Sequence, residues 1–242
     1  MAKFAKHKWW ILTIALTVPV IAIAADVPNI FTAGTVVSSS QVNANFKNVS
    51  DRLTALEAAG ARSTTYIRWG RTVCPTGASV VYTGYAAGDH YTHTGSGGNT
   101  LCLHKTPEWL SYDDGDQNGA TIYGTEFETA GYGLAPLVGL QNLDGTCVVC
   151  EVPRSSQLMI PGRISCPTGY TLEYNGYIMA NHYTQAAKGS YLCVDAAPEL
   201  AGSSANNDGN LWYPTEVECG SLPCGPNGYV SNRELACAVC TK

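Results

Sequence analysis

The 242-residue sequence carries 14 Lys and Arg against 19 Asp and Glu, a formal net charge of −5, and shows no basic stripe, which argues against a nucleic-acid partner. At 45% hydrophobic and 14% charged, it holds enough apolar material for packed cores and is not a disordered chain. Twenty-five glycines, fourteen tyrosines and ten cysteines point to a loop-rich β protein fastened by disulfides.

Residues 1–24 have the physics of a secretory signal. Lys3, Lys6 and Lys8 form a basic start, an apolar run follows from Trp9 to Ala24, and Ala22-Ile23-Ala24 offers a small-x-small cleavage site. The mature chain is predicted to begin at Ala25. Cleavage removes three lysines and no acids, leaving 11 basic against 19 acidic residues, a net −8. The competing reading is an uncleaved membrane anchor, because the run is nearly long enough to cross a bilayer. Export and ten cysteines together place the protein in an oxidising setting, secreted or at the cell surface.

Residues 25–64 are predicted to hold a short helix. Ser38-Ser39-Ser40 supplies an N-cap and Gly60 a stop. Between them Val42, Phe46, Val49, Leu53 and Leu56 are spaced 4, 3, 4 and 3, an a/d heptad seam about two repeats long. It reads either as an amphipathic helix lying on its own domain or as a coiled-coil-like neck between chains. Two heptads are too few to hold chains together unaided, so a neck requires the globular part to associate as well.

Beyond Ser63 the pattern is β. TTYIRW, SVVYTGY, TIYGTEFE, TCVVCEV, QLMIPGRI, TLEYNGYIM and ACAVC are short runs rich in β-branched and aromatic residues, bounded by Gly, Pro, Asn or Asp. No stretch after Gly60 carries a helical period. The body also repeats itself. At a constant offset of 92, Arg71, Cys74, Pro75, Gly77, Tyr82, Gly84, His90 and Thr92 recur as Arg163, Cys166, Pro167, Gly169, Tyr174, Gly176, His182 and Thr184. After a slip of one or two residues, Cys102 matches Cys193, and Cys147 and Cys150 match Cys237 and Cys240. The predicted fold class is therefore all-β: a tandem duplication of two disulfide-stapled subdomains, 65–155 and 156–242, each incomplete without the other.

Cys219 and Cys224 alone lack a counterpart; their aligned positions hold Thr129 and Leu134. Two cysteines gained or lost together are most simply bonded to each other. Cys147 and Cys150 lie three apart, so on a strand they face opposite ways about 10 Å apart and cannot bridge each other. Each reaches back to a different partner, Cys74 or Cys102. The C-x-x-C pairs also have zinc-ligand spacing, a reading that export disfavours.

YIRWGRTVCPTG, YGTEFE, CVVCEVPRSSQLMIPGRISCPTGYTLEYNGY, VDAAPELAGSSANNDG and ECGSLPCGPNGYVSNRELACAVCTK resemble the C-terminal domain of sponge short-chain, spongin-type collagens. More distantly they are similar to the non-collagenous C-terminal domain of type IV collagen. The resemblance spans about Thr65 to Lys242. It implies an all-β tandem that trimerises; in type IV collagen the trimers meet head to head, and trimer and head-to-head hexamer both stay open for this sequence. It also implies the pairs Cys74–Cys150, Cys102–Cys147, Cys166–Cys240, Cys193–Cys237 and Cys219–Cys224. One departure is large: no Gly-X-Y tract is present, so this sequence forms no triple helix. FTAGTVVSSSQVNANF is instead similar to short segments of bacterial secreted proteins.

Few signals suggest chemistry. Asp114, Asp116 and Asn118 match the opening of a calcium loop, but position twelve is Thr125 and the acid falls one place late at Glu126, so a polar turn is expected. His90 and His182 read as hydrogen-bonded structural groups, and His93 makes an H-x-x-H pair in the first copy alone. Glu126 and Glu216 recur beside Tyr123 and Tyr213 and read as buried partners of Arg. No catalytic motif is found, and no cofactor or enzymatic activity is expected. The expected function is extracellular assembly by a homotrimer, with recognition of glycan or matrix by Tyr-rich loops as the alternative. Contact with a membrane is expected only if the signal segment stays uncleaved.

Overall fold

The computed structural model describes residues 27–59, 63–115, 117, 119–199, 205–225 and 228–242. The predicted signal segment and the predicted helix stop at Gly60 lie outside the described residues. The chain divides into two units, Met1–Ala59 and Gly60–Lys242.

In the first unit, helix α1 spans Ser39–Ala59. Its start is a reciprocal cap: the Gln41 amide donates to Ser38 Oγ at 3.2 Å, and the Ser38 amide donates to Gln41 Oε1 at 3.2 Å. The preceding segment folds back, with the Asn29 amide on Asn45 Oδ1 at 2.9 Å and Asn45 Nδ2 on the Asn29 carbonyl at 2.8 Å. Val42, Phe46, Val49, Leu53 and Leu56 all lie on α1, and Phe46 and Leu56 are 71% and 66% exposed. No helix among the described residues is long and apolar enough to cross a membrane.

Among the described residues the second unit is built on ten strands in a mixed sheet: β1 (Thr64–Trp69), β2 (Ser79–Gly88), β3 (Leu101–His104), β4 (Tyr123–Phe127), β5 (Thr146–Val152), β6 (Gln157–Pro161), β7 (Thr171–Ala180), β8 (Leu192–Asp195), β9 (Asn210–Pro214) and β10 (Ala236–Thr241). β5 lies between β1 and β2, and β2 also pairs with β3 and β4. In the second half β10 lies between β6 and β7, and β7 also pairs with β8 and β9. Parallel pairings join the halves: Trp69 of β1 with Val194 of β8, and Thr125–Phe127 of β4 with Asn210–Trp212 of β9. Because β9 meets both β4 and β7, the strands β7-β8-β1-β5-β2-β4-β9 close a circuit.

The core draws on both halves. One cluster sets Trp69, Phe127, Leu137, Leu140 and Cys147 against Met179, Val194 and Trp212. Trp212 stands edge-on to Trp69 and to Phe127, with ring centroids 5.8 and 5.3 Å apart. The other cluster joins Tyr66, Val148, Cys150 and Val152 to Tyr174, Ile178, Cys193, Cys237 and Val239.

All ten cysteines are bonded: Cys74–Cys150, Cys102–Cys147, Cys166–Cys240, Cys193–Cys237 and Cys219–Cys224. The zinc-ligand reading of the C-x-x-C pairs is therefore set aside, since no thiolate is left to bind metal. Cys147 and Cys150 point into different clusters, as alternation along a strand requires. Gly84 lies against the Cys102–Cys147 bridge and Gly176 against the backbone of Val194. A Cβ on Gly84 would sit 2.4 Å from the Leu103 carbonyl oxygen and 2.7 Å from Cys102 Sγ; one on Gly176 would sit 1.7 Å from the Val194 carbonyl oxygen. Tyr82 and Tyr174 donate their hydroxyls to the carbonyls of Cys102 and Cys193, at 3.0 and 2.9 Å.

Gly176→Ala must force a pair of bonded strands away from each other and is expected to cost at least about 3 kcal/mol in denaturant unfolding. Gly119→Ala, which meets nothing within 4 Å, is expected to stay within about 0.5 kcal/mol. The Cys166–Cys240 bridge spans 74 residues and Cys219–Cys224 spans 5. By the chain-entropy relation, removing the long bridge costs about 4 kcal/mol and the short one about 2 kcal/mol, measured on paired Cys→Ser variants.

Candidate functional site

The repeated histidines hold turns. His90 Nδ1 accepts the Thr92 amide at 3.3 Å and meets Thr92 Oγ1 at 2.9 Å; His182 makes the same contacts with Thr184 at 3.3 and 2.8 Å. Around each ring the aromatic neighbours match, Tyr91 and Tyr123 in one copy, Tyr183 and Tyr213 in the other. His93 stacks near His90 with centroids 4.9 Å apart and lies 3.3 Å from Asp89 Oδ1, which also takes the His90 amide. In the segment that matches the opening of a calcium loop, Asp113 Oδ1 accepts the Gly115 amide at 2.8 Å, an Asx-type turn, and Asp114 is exposed. Asp116 and Asn118 lie outside the described residues.

Among the described residues neither Glu126 nor Glu216 pairs with an Arg, which corrects the sequence reading. The buried guanidinium partners are other acids: Arg68 Nε meets Asp195 Oδ2 at 2.7 Å, and Arg154 pairs with Glu173. Glu173 also accepts the hydroxyls of Tyr66 and Thr241. Arg68 starts from β1 and Arg154 from the β5–β6 turn. Glu216 is exposed, whereas Glu126 is 3% exposed.

Glu126 leads into the densest acidic grouping. Among the described residues, one set of carboxylates could hold a metal: Glu126, Glu128 and Asp208, each with an oxygen within 4.8 Å of the others. β4 carries Glu126 and the residue chain that continues to Glu128, while Asp208 sits in the loop before β9 at φ 47°. Glu126 Oε1 accepts the Asn207 amide at 2.9 Å, and Oε2 is buried with no hydrogen-bond partner. Glu128 Oε2 accepts Gln141 Nε2 at 2.5 Å, and Gln141 Oε1 in turn takes the amides of Thr129 and Ala130. Burial, with like charge from neighbouring acids, pushes the Glu126 and Glu128 carboxyls above the usual carboxylate range.

Beside this grouping opens a cleft of about 580 Å³ lined by Tyr132, His182, Tyr183, Tyr191 and Tyr213, with Glu216 and Glu218 at its edge. Tyr183 and Tyr191 are 86% and 65% exposed. Burial pushes the Tyr213 phenol up to about 12, helped by Glu128, Tyr132, Asp208 and Tyr91. Burial likewise raises Tyr132, with Glu216 and Glu234 adding to it. Both phenols therefore stay neutral hydrogen-bond donors at physiological pH. Composition signalled tyrosine-rich loops, but which tyrosines converge depends on β7 pairing with β9, which no sequence spacing encodes. No known protein-family profile matches the chain.

A phenol whose pKa rises on folding stabilises the fold fully below its unfolded value near 10, and that contribution is lost as pH climbs through the folded value. Tyr213, Tyr66 and Tyr174 all shift this way. Stability is expected to fall between about pH 10 and 12, followed by thermal unfolding, and Tyr213→Phe to fall less steeply.

Proposed function

We propose that this is a secreted extracellular assembly protein, a member of the group formed by spongin-type and type IV collagen C-terminal domains, whose disulfide-stapled head trimerises without a triple helix. The five disulfides fit an oxidising compartment. The halves 65–155 and 156–242 are read as a tandem duplication. Their matched pairings β1-β5-β2-β3 and β6-β10-β7-β8 support this.

The observation that carries the assembly reading is a mismatch between the halves. β1 has two neighbours, β5 and β8. Its counterpart β6 pairs with β10 alone among the described strands, and β3, the counterpart of β8, pairs with β2 alone. The edge of β6 on one chain therefore suits the edge of β3 on the next, repeating between chains the β1–β8 pairing inside one. Leu101 and Leu103 on β3 are 46% and 36% exposed, leaving apolar surface at that edge. Such a head-to-tail contact closes into a ring when its rotation permits. The number three comes from the resemblance. The exposed seam of Val42, Phe46, Val49, Leu53 and Leu56 supports a coiled-coil neck that forms once the heads have gathered.

Light scattering on residues 25–242 is expected to report a trimer at micromolar concentration, and a monomer defeats the proposal. Leu103→Lys is expected to yield monomers while unfolding within about 0.5 kcal/mol of the parent, as an exposed substitution should.

A second reading rests on the tyrosine cleft, whose flat aromatic faces and neutral phenols suit a sugar. Glu216 and Glu218 disfavour anionic glycans there. On a glycan array, specific binding lost in Tyr183→Ala with Tyr191→Ala would favour this surface-attachment role.

A further inference from the structure

We propose that Glu126, Glu128 and Asp208 bind one divalent hard cation, Ca²⁺ foremost, which staples the first half of the β body to the second. The three carboxylates come from β4, the residues just after it, and the loop leading into β9. Their oxygens lie within 4.8 Å of one another. Two oxygens bound to one Ca²⁺ at about 2.4 Å stand at most about 4.8 Å apart, and three spread evenly around it about 4.2 Å apart, so the set needs only a small closure to share one ion.

Charge and hydrogen bonding point the same way. Among the described residues, no Lys or Arg forms an ion pair with any of the three. Glu126 is 3% exposed, and its Oε2 is buried without a donor, although Oε1 takes the Asn207 amide. A carboxylate oxygen removed from water needs a cation or a donor to offset its lost hydration. Glu128 and Asp208 are partly exposed, so an ion can enter from solvent and keep water in its outer positions. An all-oxygen, all-carboxylate donor set selects Ca²⁺, Mg²⁺ or Mn²⁺ over thiophilic metals. Mg²⁺ demands near-octahedral geometry and sheds water reluctantly, which favours the larger ion at a site shared by two chain segments.

Placement gives the ion its role. β4 and β9 meet as parallel strands over three residue pairs, Thr125–Phe127 against Asn210–Trp212. Among the described residues this short contact is one of two strand pairings between the halves, and its last residue, Trp212, belongs to the shared core. A cation held by both segments locks that junction.

The test is calorimetric titration of calcium chloride into the oxidised, chelator-treated protein, with thermal unfolding read in parallel. One ion per chain is expected, in the 10⁻⁴–10⁻³ M range of extracellular calcium modules, with a higher unfolding midpoint and a smaller response to magnesium chloride. Glu126→Gln is expected to weaken calcium binding at least about tenfold. Its metal-free unfolding midpoint should equal or exceed the parent's, because it removes a crowded charge. Asp114→Asn is expected to leave binding unchanged. Should Glu126→Gln fail to fold, Asp208→Asn supplies the same comparison. The proposal is overturned by no heat and no midpoint shift at millimolar calcium, which is also what a simply protonated Glu126 would give. It is equally overturned if binding survives loss of the Glu126 or Asp208 charge, or disappears with Asp114→Asn.

Discussion

A strand that carries two half-cystines three residues apart must be buried on both faces, and the β body is organised around two such strands. On β5, Cys147 turns toward Cys102 and one core cluster, and Cys150 toward Cys74 and the other. On β10, Cys237 turns toward Cys193 in the second cluster, and Cys240 is bonded to Cys166. Each strand therefore needs neighbours on both edges and cover on both sides. The consequences reach outward. Gly84 and Gly176 have no room for a Cβ beneath the crossing chain, and Tyr82 and Tyr174 pin the carbonyls of the bridged cysteines.

The halves are tied by polar as well as apolar contacts. Arg68 on β1 reaches Asp195 at the end of β8, and Tyr66 on β1 donates to Glu173 on β7 at 2.8 Å. Removing one member of such a pair would strand a buried charge, which is more costly than the pair is stabilising. Together with Trp212 lodged between Trp69 and Phe127, these contacts make each half the other's missing core.

Much of this was legible in the residues. The runs rich in β-branched and aromatic residues became β1, β2, β4, β5, β6, β7 and β10, and the capped helix begins at Ser39. β3, β8 and β9 were not picked out, because four or five residues amid Gly, Asn and Ser give no alternation to detect. The acidic grouping was hidden for a different reason. Glu126 and Glu128 are neighbours in sequence, but Asp208 joins them only through the parallel register of β4 and β9. The expectation that Glu126 would meet an Arg failed on the same ground: a repeat marks equivalent positions, not the partners that tertiary pairing assigns. Within the repeat itself, Glu126 is buried and Glu216 exposed, so equivalent positions acquired different surroundings.

The bridges differ in how far they are sheltered. Cys219 and Cys224 are exposed, Cys74 and Cys166 half-buried, and Cys102, Cys147, Cys193 and Cys237 sealed inside. Thiol exchange requires an attacking thiolate to reach a sulfur, so access sets the order of opening. In a reducing milieu the peripheral clasp would yield first and the innermost links last, letting the molecule shed its outer fastening while the heart of the fold stays oxidised.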